Sequence, residues 1–424
     1  MDYRPRIVDQ ELDELFGPLA AIALEGAKGV GKTATAARRV ATSIRLDDPG
    51  VRAVVQADPA QALRGAGPVL VDEWQRVPVV WEAVRRAVDD REPPGPFLLT
   101  GSAVPVGDPE RHSGAGRIDM IRMRPMALSE RIDAAPSVSL AALLAGAEPA
   151  IDGRTDFTLA DYVEEIFRSG FPGIRELEGR ARRVRLDGYL ERIVDRDFPD
   201  EIGERVRRPQ TLRRWIRAYA AATATTTTFE KIRDAAAQGD VVPAKSTTIA
   251  YREALQRLFV LDAVDGWAPT RNQLRRLTLA PKHHLVDPAL AARLLGVTEA
   301  QLLAGESGPV AMPRDGTLLG ALFESLVTQS VRVFAQAAEA SVSHLRTANG
   351  RQEVDLIVGD RSGRVVGIEV KLASAVDDHD VRHLRWLREQ LADEVSDLVV
   401  VNTGSFAYRR PDGIAVVPLA LLGP

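Results

Sequence analysis

Residues 26–33 read GAKGVGKT and fit the spacing G-x-x-x-x-G-K-[ST] of a phosphate-binding loop. The chemistry follows from the residue types. Gly26, Gly29 and Gly31 allow a turn whose backbone N–H groups, with those of Ala27, Lys28 and Val30, point at phosphate oxygens. Lys32 would neutralise the β- and γ-phosphates, and Thr33 would ligate Mg2+. The expected ligands are therefore ATP and Mg2+. Only six of the 55 basic residues are lysines: Lys28, Lys32, Lys231, Lys245, Lys282 and Lys371. A lysine kept at position 32 of an arginine-rich chain fits a site that needs a compact point charge and not a planar guanidinium. The apolar run AAIALEG before the loop and the helical run ATAARRVATSI after it argue against a mere glycine-rich surface turn.

A second segment supplies the acids. VLVDEW, residues 69–74, is an apolar strand ending in two carboxylates. Asp72 is expected to hold Mg2+ through its water shell, and Glu73 to orient and polarise the attacking water. The strand FLLTGS then puts Thr100 or Ser102 beside the γ-phosphate. Arg117, and after it Arg111, are candidates for an arginine finger reaching a neighbouring subunit's site, with an ordinary surface arginine as the alternative.

A third constellation lies near the C-terminus, in RQEVDLIVGDRSGRVVGIEVK, residues 351–371. Two apolar-rich strands flank a glycine-containing turn, which favours an antiparallel hairpin. Glu353 and Asp355 share one face of the first strand, and Glu369 and Lys371 share one face of the second. The spacing D-x13-E-x-K resembles the PD-(D/E)xK nuclease core. In that core two carboxylates, here Asp355 and Glu369, bind Mg2+ (or Mn2+), and the lysine, here Lys371, orients or activates the water. Glu324 matches the position of a further metal-binding acid. The alternative is an edge hairpin carrying a Glu–Lys salt bridge.

The order of these motifs, with SGFPGI, YREALQRLFVLDAVDGW and LFESLVTQ between them, resembles a bacterial and archaeal family. That family joins an AAA-like P-loop ATPase domain to a C-terminal region of the DUF4143 type. The resemblance implies an α/β multidomain chain. Its parts would be an ATPase parallel sheet of the additional-strand class, a helical, winged-helix-like middle and a mixed α/β, restriction-endonuclease-like C-terminal domain. The expected boundaries are 1–135, 155–300 and 315–424.

The elements that must position these groups can be read coarsely. Strand-like runs alternate with helical ones over 18–135, as a parallel sheet requires. Residues 157–295 are mostly helical in period, and 180–217 hold twelve arginines against seven acids. Tyr251, Arg252 and Arg257 would lie along a candidate recognition helix, so DNA is an expected partner, with packing or oligomerisation the competing role. His283 and His284 are adjacent, so on a strand they face opposite ways and do not converge on one metal.

The chain has 424 residues and no cysteine, which excludes disulfides and thiol catalysis, and its formal net charge of −4 argues against wholesale coating of nucleic acid while leaving room for a local basic face. No membrane span or signal peptide is expected, and the cytoplasm is the expected compartment. The leading expectation is an ATP-hydrolysing, DNA-directed homo-oligomer with a metal-dependent nuclease domain. The alternative is a nucleotide-switched DNA- or protein-binding regulatory ATPase whose nuclease-like domain does not cut.

Overall fold

The computed structural model describes residues 3–90, 95–102, 115–146, 149–202, 208–237, 242–269, 279–305, 318–347 and 350–424, the side chains of 201–202 excepted. The chain forms two compact units. The first comprises Met1–Pro125, Arg192–Arg207 and Tyr251–Val260, and the second Met126–Glu191, Arg208–Ala250 and Leu261–Pro424.

The first unit is built on five parallel strands: β1 (Ala21–Glu25), β2 (Thr42–Arg45), β3 (Val69–Asp72), β4 (Phe97–Gly101) and β5 (Asp119–Arg122). Their order across the sheet is β2-β3-β4-β1-β5. Strand β4 therefore lies between the strand that leads into the phosphate loop and the strand that ends in Asp72. The three central strands are buried along their whole length, as expected of a parallel sheet covered on both faces, and this accounts for their unbroken apolar runs. Helix α1 (Ile7–Leu15) precedes the sheet, α2 (Lys32–Ala37) follows the loop, and α3 (Val79–Asp89) packs Val80, Trp81 and Val84 into the core. The Trp74 and Trp81 rings meet there with centroids 4.6 Å apart.

The second unit carries a seven-stranded mixed sheet. Its strands are β7 (Gly266–Trp267), β8 (Ser341–Arg346), β9 (Glu353–Gly359), β10 (Val365–Val370), β11 (Val395–Asn402), β12 (Tyr408–Arg409) and β13 (Ala415–Pro418). They run in the order β12-β13-β11-β10-β9-β8-β7. Strands β9 and β10 form an antiparallel hairpin, with Ile368 opposite Leu356; β8 joins β9 antiparallel on its other side, and β10 then pairs in parallel with β11. A small parallel pair joins β6 (Val138–Ser139) to β14 (Leu422–Gly423). The middle of the chain supplies helices α4 (Leu159–Arg168), α5 (Gly179–Arg192), α6 (Pro209–Ala221), α7 (Phe229–Ala237) and α8 (Lys245–Arg257). Antiparallel bridges then link Leu261 to Leu285 and Val264 to Lys282.

Helix α9 (Leu318–Ala337) is long and apolar enough to cross a membrane by length and composition, yet 72% of its apolar window is buried inside the protein. Helix α10 (Arg382–Leu391) buries Leu384 and Leu387 against the sheet.

The SGFPGI motif has a structural reason. Gly170 donates its N–H to the Asp287 carboxylate at 2.7 Å, and a Cβ there would lie 2.6–2.9 Å from Arg131 and the Met126 backbone. Glu165 compensates two buried arginines in the same region, accepting both N–H bonds of Arg175 at 3.1 Å and lying 3.9 Å from Arg131.

Candidate functional site

The nucleotide-binding constellation assembles in the first unit. Gly26 closes β1 at φ 152°, where a Cβ would lie 2.1 Å from the Met123 carbonyl oxygen. Gly29 and Gly31 also take left-handed φ values, 86° and 108°. Ala27 and Val30 are buried beneath the loop. The Val30 carbonyl accepts a bond from Arg6 at 2.9 Å, and Arg6 also reaches the Arg124 carbonyl at 2.8 Å. Lys28 lies 3.3 Å from Asp197.

Lys32 is 6% exposed and donates to the Gly26 and Ala27 carbonyls at 2.8 and 3.0 Å. Burial lowers its pKa to about 8, against the opposing pull of Glu73 and Asp72. The Thr33 hydroxyl donates to Asp72 at 2.7 Å. Thr100 donates to the same Asp72 oxygen and so fixes the carboxylate from the sheet side. Two hard oxygens, one from Thr33 and one from Asp72, thus meet at one point beside a buried ammonium. This donor set fits Mg2+.

Glu73 takes a left-handed backbone, φ 59° and ψ 43°, a conformation costing about 1 kcal/mol or more for a non-glycine residue. The turn directs its carboxylate to Gln75, whose amide donates to it at 2.8 Å and to the Ser102 hydroxyl at 3.1 Å. Ser102 itself lies 3.4 Å from Glu73, so it belongs to the carboxylate's support. Thr100 sits on Asp72. Gln75 and Arg6 escape a sequence reading, because neither belongs to a recognisable spacing.

Arg117 is half-exposed, and its partners among the described residues are Asp89, at 2.8 Å, and the Ala115 carbonyl. The Arg117 hydrogen bond holds the Asp89 carboxyl below the ordinary carboxylate range. Arg111 lies outside the described residues.

In the second unit, Asp355, Glu369 and Lys371 come together at one end of the β9–β10 hairpin. Lys371 donates to Glu369 at 3.0 Å, and the Val370 N–H donates to Asp355 at 2.9 Å. Burial, and then the charge of Asp355, push the Glu369 carboxyl well above its usual range. For Lys371, burial acts downward, but the Glu369 charge and hydrogen bond outweigh it and leave the ammonium raised.

A fourth residue, not foreseen, occupies the centre. The Lys282 ammonium is 2.8 Å from Glu324, 3.0 Å from Asp355 and 3.8 Å from Glu353, and its side chain is 1% exposed. Burial alone would drain its charge; the flanking carboxylates reverse this and raise its pKa. Burial would likewise raise Asp355, but Lys282 and the Val370 N–H hold it low. Glu324 is pushed up by its burial, which Lys282 only partly offsets.

Glu324 Oε1 and both oxygens of Asp355, expected to hold a metal, are therefore already engaged. Asp355 uses one oxygen for Lys282 and the other for Val370. Of the expected metal-ligand oxygens, only Glu369 Oε2 is known to be buried without a partner. The set as it stands does not fit a hard divalent cation, which needs several oxygen ligands at once. The rarity of lysine was the available signal for Lys282, which stands out by the same scarcity that marks Lys32.

His283 bonds the Thr227 carbonyl at 2.6 Å, and His284 is buried; both are pushed by burial toward the neutral form. Tyr251 is buried against Phe198, ring centroids 5.7 Å apart, so it is not free to stack on a base.

The N-terminal segment matches a known domain family. Residues 20–132 match an AAA domain family, 159–301 a domain of unknown function (DUF8612) and 319–422 a second domain of unknown function (DUF4143). Uncharacterized proteins of Mycobacterium tuberculosis and Mycobacterium bovis are each 27% identical over 408 residues, 94% of this chain and 79% of theirs. A solved Walker-type ATPase of Pyrococcus abyssi is similar at 16% identity and a TM-score of 0.40, covering 69% of this chain and 99% of that one. The AAA match, together with the loop and the Thr33–Asp72 pair, supports nucleotide hydrolysis by the N-terminal segment.

Proposed function

We propose that this chain is an Mg2+-dependent ATPase whose nucleotide cycle switches a binding module. The observation that carries the reading is the meeting of Thr33 and Asp72 at 2.7 Å beside the buried Lys32 ammonium. Mg2+, when bound, would neutralise charge on the β- and γ-phosphates. Lys32 supplies a fixed positive charge at the loop. Glu73, aimed by Gln75, orients and polarises the attacking water, and Thr100 keeps Asp72 turned toward Thr33. A neighbouring copy's Arg117 would complete the site in a homo-oligomer. Lys32→Ala should lose Mg2+-ATP binding in a direct titration; binding at wild-type strength would overturn the reading.

A second reading adds DNA direction and cleavage. The exposed Arg180, Arg183 and Arg185 of α5 favour contact with phosphates, and the adjacency of Asp355, Glu369 and Lys371 favours a nuclease. Lys282 among the acids weighs against cutting, so we take the non-cutting form as the better supported. The assays are DNA binding, which should weaken steeply with salt if the arginines meet phosphates, and Mg2+- or Mn2+-dependent cleavage lost on Asp355→Ala.

A further inference from the structure

Lys282 and its three carboxylates form a buried charge cluster that ATP hydrolysis does not use. The main chain of Lys282 is pinned, donating to Val264 at 2.8 Å and accepting from it at 2.9 Å. The ammonium can therefore leave the cluster only by withdrawing its own side chain from a position that is 1% exposed. Withdrawal would leave Glu324 and Asp355 buried without this ammonium, while Glu353 would keep Arg346 at 3.2 Å, an arrangement that opposes folding. A divalent ion entering from solvent would have to displace this ammonium from Glu324 Oε1 and Asp355 Oδ1 before it could use those oxygens.

We propose that Lys282 is the resident cation of the Glu324–Glu353–Asp355 cluster, seated where a divalent metal would otherwise bind, so that this site is self-neutralised and takes no metal. The ligand of the cluster is the chain's own ammonium. Lys282 is thus a positioning residue: it holds Asp355 against the Val370 N–H and fixes the end of the hairpin on which Glu369 and Lys371 stand. This inference is independent of the ATPase reading, since it concerns the second unit alone.

The test is Mn2+ binding to the full chain without nucleotide, read by electron paramagnetic resonance. Asp72→Asn serves as the parent to silence the nucleotide site. The parent and its Asp355→Asn derivative should bind Mn2+ alike. Lys282→Met in the parent should gain one Mn2+ site at least about tenfold tighter than any in the parent, and Asp355→Asn should remove it again. A parent that already holds one Mn2+ lost on Asp355→Asn would overturn the proposal, and this comparison stands even if Lys282→Met does not fold. A folded Lys282→Met protein that gains no Mn2+ would overturn it as well.

Discussion

Thr33 and Asp72, 39 residues apart in the chain, meet at 2.7 Å, hydroxyl to carboxylate. Their meeting depends on the strand order, which brings the end of β3 toward the loop after β1 with only β4 between. Asp72→Asn keeps the shape and the bond to Thr33 but removes the charge. ATP affinity in EDTA should stay within about twofold of wild type, while the strengthening given by Mg2+ should fall by about tenfold or more. Titration of ATP with and without Mg2+ checks this; an unchanged Mg2+ effect would remove Asp72 from the metal site.

The pH dependence has a definite sign. Lys32 has a pKa lowered from 10.5 to about 8, burial first, with Glu73 and Asp72 opposing. Phosphates favour the charged lysine, so its pKa should rise on binding. Above about pH 8 binding must then take up a proton, and affinity should fall by up to tenfold per pH unit. Stability moves the other way. Between pH 8 and 10.5 the unfolded lysine holds more protons than the folded one, so this residue's contribution to stability rises with pH across that window. Calorimetry in buffers of different ionisation enthalpy would detect the proton uptake; a flat affinity from about pH 7 to 9.5 would contradict the lowered value.

Gly26 tests the loop's shape apart from its charges. A Cβ at this position would lie 2.1 Å from the Met123 carbonyl oxygen, a backbone atom that cannot swing aside, and φ is 152°. Gly26→Ala should cost about 3 kcal/mol and lower the melting temperature of the first unit. Gly173→Ala is a suitable control, because no atom lies within 4 Å of its added Cβ.

The nucleotide site was legible because its chemistry is local. Eight consecutive residues set the loop, and four apolar residues followed by two acids are a strand ending at a site. What the sequence hid is long-range. Lys282 reaches Glu324 across 42 residues and Asp355 across 73, and no local period announces such a meeting. Strand β7 is two residues long, too short for alternation to mark, yet it extends the sheet beside β8. Arg6 was indistinguishable from the many other arginines until its bonds to Val30 and Arg124 were seen. The hairpin puts Asp355, Glu369 and Lys371 side by side, but their spacing carries no information about what else fills the space between them.

The most direct test of the account is ATP turnover by Glu73→Gln. Gln75 and Ser102 can still hold an amide in place of the carboxylate, so the side chain keeps its position while the water loses its polarising charge. Phosphate release with Mg2+-ATP should drop by about 100-fold, while ATP affinity stays within about twofold of wild type. Turnover equal to wild type, in a preparation where Lys32→Ala is inactive, would contradict the assignment of Glu73 and with it the proposed hydrolytic mechanism.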